Sequence, residues 1–152
     1  MGTISYIDGD IFEVDKSYAI GHQCNCTSNT ISGLAAEVYK RYPKANIRNN
    51  TNKPELLGNI DSYQTNDGKL IINLYAQLNK GKANIAYDDC ESARLQALWQ
   101  ALTKTKMLTK KLALPYLIGC GMAGGNWQVY KAELELFAKL NNIELLIVRK
   151  VE

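Results

Sequence analysis

The chain has 152 residues, carries 18 Lys and Arg against 15 Asp and Glu for a formal net charge of +3, and is 46% hydrophobic and 22% charged. That length predicts one domain over residues 1–152, able to bury a core without disulfides or a metal. The contents exclude disordered, collagen-like and coiled-coil chains, no apolar run approaches a membrane span, and the charge is too mild for a dedicated nucleic-acid binder.

Ile4 to Ile7 alternates weakly and predicts a first strand, ended by Gly9-Asp10. Tyr18–Gln23 reads as a buried second strand, being almost uncharged. Leu34, Ala35, Val38, Tyr39 and Tyr42 form one helical stripe over Gly33 to Tyr42, with Ser32 as N-cap and Pro43 as the stop. A polar loop follows at residues 46–54. Asn59–Thr65 and Lys69–Gln77 are strand-like and flank Asn66-Asp67-Gly68, a hairpin signal. Tyr87 to Met107 predicts a long helix, with Asp88, Asp89 and Glu91 in its first turn and a core stripe of Leu95, Leu98 and Leu102. Leu112–Ile118 is a further buried strand, Asn126 caps a helix with Val129, Ala132, Leu136 and Leu140 on its apolar side, and Ile143–Arg149 is the last strand.

The second half therefore reads strand, helix, strand, helix, strand, which implies parallel pairing, while the hairpin makes the sheet mixed. The expected fold class is α/β, a three-layer α/β/α domain with ligands bound outside the carboxyl ends of its strands. The N-terminus shows no basic and apolar leader, and the four cysteines, Cys24, Cys26, Cys90 and Cys120, have neither zinc nor redox spacing. With one histidine in the chain, no metal is expected. The thiols read as reduced and the compartment as cytoplasmic.

Gly119, Gly121, Gly124 and Gly125 place four glycines in seven residues between a buried strand and a helix. Such a loop lets backbone N–H groups approach an anion, and the helix N-terminus adds partial positive charge. Gly124 and Gly125 are expected to meet a diphosphate there. His22 and Asn25 fall at the end of the second strand. Asn25 has a donor and an acceptor for a ribose hydroxyl, and His22 ordinarily titrates near neutrality. Lys80 and Lys82 read as a solvated loop, Tyr87 and Trp127 as docking aromatics, and Lys104, Lys106, Lys110 and Lys111 as a solubilising surface.

These strings together resemble the macrodomains, which bind ADP-ribose. The likeness covers nearly the whole chain and rests on Ile20-Gly21-His22-Gln23-Cys24-Asn25, Asn73-Leu74-Tyr75-Ala76-Gln77 and Gly119-Cys120-Gly121-Met122-Ala123-Gly124-Gly125-Asn126-Trp127. It implies that Asp10 accepts from the adenine amino group and that Asn25 contacts the distal ribose. The implied ligand-binding set is Asp10, Ile11, Asn25, Gly33, Leu34 and the run Gly119, Cys120, Gly121, Met122, Ala123, Gly124, Gly125, Asn126 and Trp127.

The Asn73 string is similar to small single-domain members that include ADP-ribose 1''-phosphate phosphatases. The implied function is ADP-ribose binding with hydrolysis of ADP-ribose 1''-phosphate to ADP-ribose and phosphate. The alternatives are a non-catalytic reader and removal of ADP-ribose from a modified macromolecule. His22 and Asn25 are the expected catalytic pair, with His22 donating to the leaving oxygen or positioning water. No cofactor, membrane or nucleic-acid partner is implied, and a monomer is expected. Thr27 to Gly33 departs from the family's glycine run, and Gln77 and Ala123 stand where a related branch has lysine and aspartate, which disfavours a covalent lysine mechanism.

Overall fold

The structure, a computed structural model, describes residues 2–84 and 89–151. Strands β1 (Thr3–Asp8), β2 (Ala19–Asn25), β3 (Ile60–Gln64), β4 (Leu70–Gln77), β5 (Lys111–Pro115) and β6 (Glu144–Arg149) form one sheet in the order β1-β6-β5-β2-β4-β3. All neighbours pair in parallel except β3 with β4. The antiparallel pair is the hairpin expected at Asn66-Asp67-Gly68. Gly68 takes φ +88°, and the Lys69 N–H donates to Thr65 Oγ1 at 2.8 Å across the turn.

Alternation along the central strands sends side chains to two cores, as the pleat requires. Ile72, Leu74, Leu112, Leu114, Leu145 and Ile147 face helices α2 (Glu91–Thr105) and α3 (Trp127–Asn141). Ile20, Ile71, Ala113, Leu146 and Val148 face the other way, against Val38 of helix α1 (Gly33–Arg41) and the short 3-10 turn Ile11–Glu13. The result is the expected α/β/α layering. Because β1, β2, β4, β5 and β6 run parallel, the loops that leave their carboxyl ends crowd one end of the sheet.

Several boundaries differ from the sequence reading. Strand β5 stops at Pro115 rather than Ile118: Leu117 turns at φ +65°, and Ile118 N–H and Cys120 N–H donate to the Pro115 and Leu117 carbonyls at 3.1 and 2.8 Å. The Tyr87–Asp88 start expected for the long helix lies outside the described residues, and the helix ends at Thr105. Ser32 takes the N-cap position of α1 without a side-chain cap bond, whereas Asn126 Oδ1 does accept from Gln128 N–H at 3.0 Å. On α3 the buried face is Tyr130, Leu134, Phe137 and Ala138, and Val129, Leu136 and Leu140 are 44%, 50% and 64% exposed. The helix carries two apolar stripes, and the one holding the large rings packs, Phe137 meeting Trp99 edge-on at 5.4 Å. No described helix is long and apolar enough to cross a membrane.

Candidate functional site

Two cavities open at the carboxyl ends of the strands and share Gly33, Leu34, Pro115 and Tyr116. They are lobes of one cleft, of about 750 and 780 Å³.

Ile11, Phe12 and Val148 give the second lobe an apolar floor, and Asp10, Glu37 and Lys40 give it a polar rim. Asp10 sits at the N-cap of the Ile11–Glu13 turn, where its Oδ1 accepts from the Phe12 N–H at 2.9 Å. That bond fixes the carboxylate and leaves Oδ2 for a ligand donor.

Asn25 lines the first lobe at the end of β2. A register shift between Cys24 and Asn25 sets Asn25 opposite Gln77 rather than Ala76, a bulge that re-aims its side chain. Oδ1 accepts from the Ser28 N–H at 2.9 Å, so Nδ2 is the atom left to donate. Gly33, at φ +61°, starts α1 where the lobes join, and a Cβ built there would stand 3.5 Å from Met122 Sδ.

The facing wall is the loop after β5. The N–H groups of Leu117, Gly119, Gly121, Met122 and Ala123 find no acceptor among the described residues, and all five residues line the first lobe. The loop thus has anion-cradling donors, though not where the glycine spacing suggested. Gly124 and Gly125 N–H donate to the Gly121 and Gly119 carbonyls, both at 3.0 Å. Asn126 N–H donates to Glu91 Oε1 at 3.0 Å. Trp127 meets Tyr116 edge-on at 5.3 Å and packs on the core. Gly124, Gly125, Asn126, Trp127 and Cys120 therefore shape the loop from behind, and the lining falls to Gly119, Gly121, Met122 and Ala123.

His22 is the second correction. It is 1% exposed, and burial pushes its pKa down to about 4. Its Nε2 lies 2.7 Å from Asn73 Oδ1. Asn73 Nδ2 donates to the Ala45 carbonyl and to Asp61, so Oδ1 must accept, and His22 carries its proton on Nε2. The ring is neutral and its one N–H is committed, so it is no proton donor to a leaving group. Tyr39 OH donates to the same Asn73 oxygen at 2.9 Å, and Tyr75 OH donates to Asp61 at 2.9 Å. This buried network is the floor of the first lobe. Burial also pushes the Cys24 thiol up to about 12, so it is not a ready nucleophile.

Because the folded pKa of His22 lies below its ordinary 6.5, the unfolded chain takes its proton first. The stability tied to this group is complete above pH 6.5 and is lost as pH falls through 4. Between pH 8 and pH 5 it costs wild type about 2 kcal/mol that His22→Gln does not lose. Glu133, pushed up to about 7 by burial, has the opposite sign and is common to both proteins. Urea unfolding of the two at each pH measures the difference, and parallel curves would contradict a buried neutral imidazole.

The sequence reading missed Arg94. It is 1% exposed and pairs with Asp89 through Nε to Oδ1 and Nη2 to Oδ2, both at 2.9 Å. It also donates to the carbonyls of Gly81, Asn79 and Lys82 at 2.8, 3.1 and 3.3 Å, and to Ala123 at 3.5 Å. One guanidinium thus ties the loop after β4 to the loop after β5. Asp89, expected to serve the helix dipole, is instead this buried partner. Cys24, Cys26 and Cys120 form no disulfide, and the described residues hold no cluster of three or more His, Cys, Asp or Glu placed for a metal ion.

No family model matches the chain. An uncharacterized 17.5 kDa protein from the tk-vs intergenic region of Enterobacteria phage T4 is 26% identical over 153 residues, covering 95% of each chain. Among solved structures, the macrodomain of Mycobacterium tuberculosis DarG is similar with a TM-score of 0.69 at 22% identity, over 97% of this chain and 98% of that one. Thermosipho africanus DarTG in complex with ADP-ribose is similar with a TM-score of 0.72 at 17% identity, over 96% of this chain and 41% of the longer one. Likeness over 96–97% of its length gives the chain the macrodomain fold.

Proposed function

We propose that the chain binds ADP-ribose, with adenosine in the Asp10 lobe and the distal ribose in the Asn25 lobe, and that it hydrolyses ADP-ribose 1''-phosphate. The observation that carries this reading is the continuity of the two lobes through Gly33, Leu34, Pro115 and Tyr116. A nucleotide with two sugar ends and a diphosphate between them fits such a cleft. The Asp10 carboxylate suits an adenine amino group, the unpaired N–H groups of residues 117–123 suit the diphosphate, and Asn25 Nδ2 suits a ribose oxygen. The macrodomain-fold neighbour DarTG is described in complex with ADP-ribose, which supports the same ligand.

In hydrolysis a water oxygen bonds to phosphorus, the bond from phosphorus to the 1''-oxygen breaks, and the water's proton ends on that oxygen. The lobe offers positioned donors rather than an acid–base pair, since no described lining residue carries a carboxylate and His22, its pKa pushed down to about 4 by burial and its N–H held by Asn73, is neither a charged acid nor a strong base. That same observation favours the second reading, a reader that binds without turnover. Phosphate release from ADP-ribose 1''-phosphate decides between them. We expect release by wild type and a fall of at least tenfold in Asn25→Ala; no release by a protein that binds ADP-ribose would leave the reader.

Asp10→Ala is expected to weaken ADP-ribose binding by roughly 1.5–3 kcal/mol, the loss of a charged hydrogen bond. Calorimetry checks it, and equal affinities would make Asp10 only the cap of the Ile11–Glu13 turn.

A further inference from the structure

Among the described residues two arginines are buried, and they are treated in opposite ways. Arg94 spends its donors on a carboxylate and four carbonyls. Arg48 is 4% exposed, yet its Nη1 donates to the Thr51 carbonyl and its other donors find no acceptor among the described residues. No described carboxylate lies within ion-pair distance of it. Asp61, whose charge reaches Arg48 in the same floor, bonds Asn73 Nδ2 and Tyr75 OH and makes no hydrogen bond to the guanidinium.

A guanidinium this buried that leaves donors unfilled by the protein presents them to whatever occupies the space beside it. Arg48 lines the Asn25 lobe with Cys24, Gln77 and Lys80. That lobe has two cations and no described carboxylate in its lining, whereas the adenosine lobe sets Asp10 and Glu37 among Lys40, Arg41 and Lys150, with Lys150 paired to Glu37. The backbone donors for a diphosphate sit on the opposite wall, in residues 117–123. The lobe therefore has two separate provisions for negative charge. The planar fork of a guanidinium suits a phosphate oxyanion better than a hydroxyl.

We propose that Arg48 is the counter-ion for a terminal phosphate monoester on the distal ribose, and that it makes the lobe selective for that ester over unsubstituted ADP-ribose. The inference rests on the ADP-ribose reading above and names the residue that sets its substrate class. The oxyanion Arg48 meets has two sources in such a ligand, the terminal phosphate and the diphosphate, and the test separates them.

Displacement titrations on the full chain compare ADP-ribose with its 1''-phosphate ester, the latter supplied as the non-hydrolysable 1''-phosphonate because wild type is expected to turn the ester itself over. Wild type is expected to bind the ester at least tenfold more tightly. In Arg48→Met that ratio is expected to fall to near one, and the apparent Tm without ligand to change little, because the guanidinium makes one hydrogen bond and no direct ion pair within the fold. Arg48→Lys retains the charge without the fork and should keep an intermediate ratio. A wild-type ratio of one would overturn the proposal. So would an equal loss for both ligands in Arg48→Met, which would assign the guanidinium to the diphosphate. A lower Tm with an unchanged ratio would make Arg48 structural. Wild type that binds neither nucleotide would remove the ADP-ribose reading itself and this inference with it.

Discussion

Replacing Arg94 with methionine lowers the unfolding free energy by about 3–5 kcal/mol, the cost of breaking a buried ion pair from one side. Asp89 is 3% exposed and is left with the Leu78 N–H, at 3.1 Å, as its hydrogen-bond donor. Four carbonyls, of Asn79, Gly81, Lys82 and Ala123, lose a donor at the same time. Methionine fills much of the space, so the loss is electrostatic rather than a cavity. Urea unfolding measures it. The double variant Arg94→Met with Asp89→Leu should regain part of the stability, since replacing both partners removes the stranded charge. Both variants are expected to bind ADP-ribose more weakly than wild type, because the loops after β4 and β5 lose their common tie. A single variant within 1 kcal/mol of wild type would show that the pair does not organise this end of the sheet.

Gly33→Val reduces ADP-ribose affinity at least a hundredfold while the chain still folds. Gly33 has φ +61°, where a β-branched residue costs roughly 1–3 kcal/mol. Its Cβ would stand 3.5 Å from Met122 Sδ, and the two valine methyls would reach further into the joint that both lobes share. A ligand lying across that joint is excluded, whereas one confined to either lobe is not. Gly33→Ala, with no methyls beyond Cβ, should show the strain with a smaller affinity loss. Calorimetry and thermal unfolding on the same samples separate the two contributions. Wild-type affinity in Gly33→Val would mean that the ligand does not cross at Gly33.

The architecture was legible where local pattern and burial coincide. The apolar run Ile71-Ile72-Asn73-Leu74-Tyr75-Ala76, the Asp67-Gly68 turn and the Asn126 cap each announce their element, and the parallel topology follows from their order. The α3 face was misread because both of its stripes are apolar, and only the partner helix and sheet choose between them. The glycine spacing located the loop but not its donors, since the Gly124 and Gly125 N–H groups are consumed by carbonyls three and six residues back. His22 looked titratable because its burial belongs to the assembled sheet end and its hydrogen-bond partner, Asn73, lies fifty-one positions away. Arg48 sits in a polar loop and Arg94 on a helix, so both look solvated in sequence. Their burial is a property of the assembled sheet end, and no local periodicity marks it.

The central claim is that one ADP-ribose spans both lobes, and calorimetric titration of the wild-type chain with ADP-ribose and with AMP tests it most directly. AMP can occupy the Asp10 lobe but brings no distal ribose to Asn25. The account predicts one ADP-ribose per chain, bound at least tenfold more tightly than AMP and displacing it. Absence of ADP-ribose binding, or equal affinities for the two nucleotides, would contradict it.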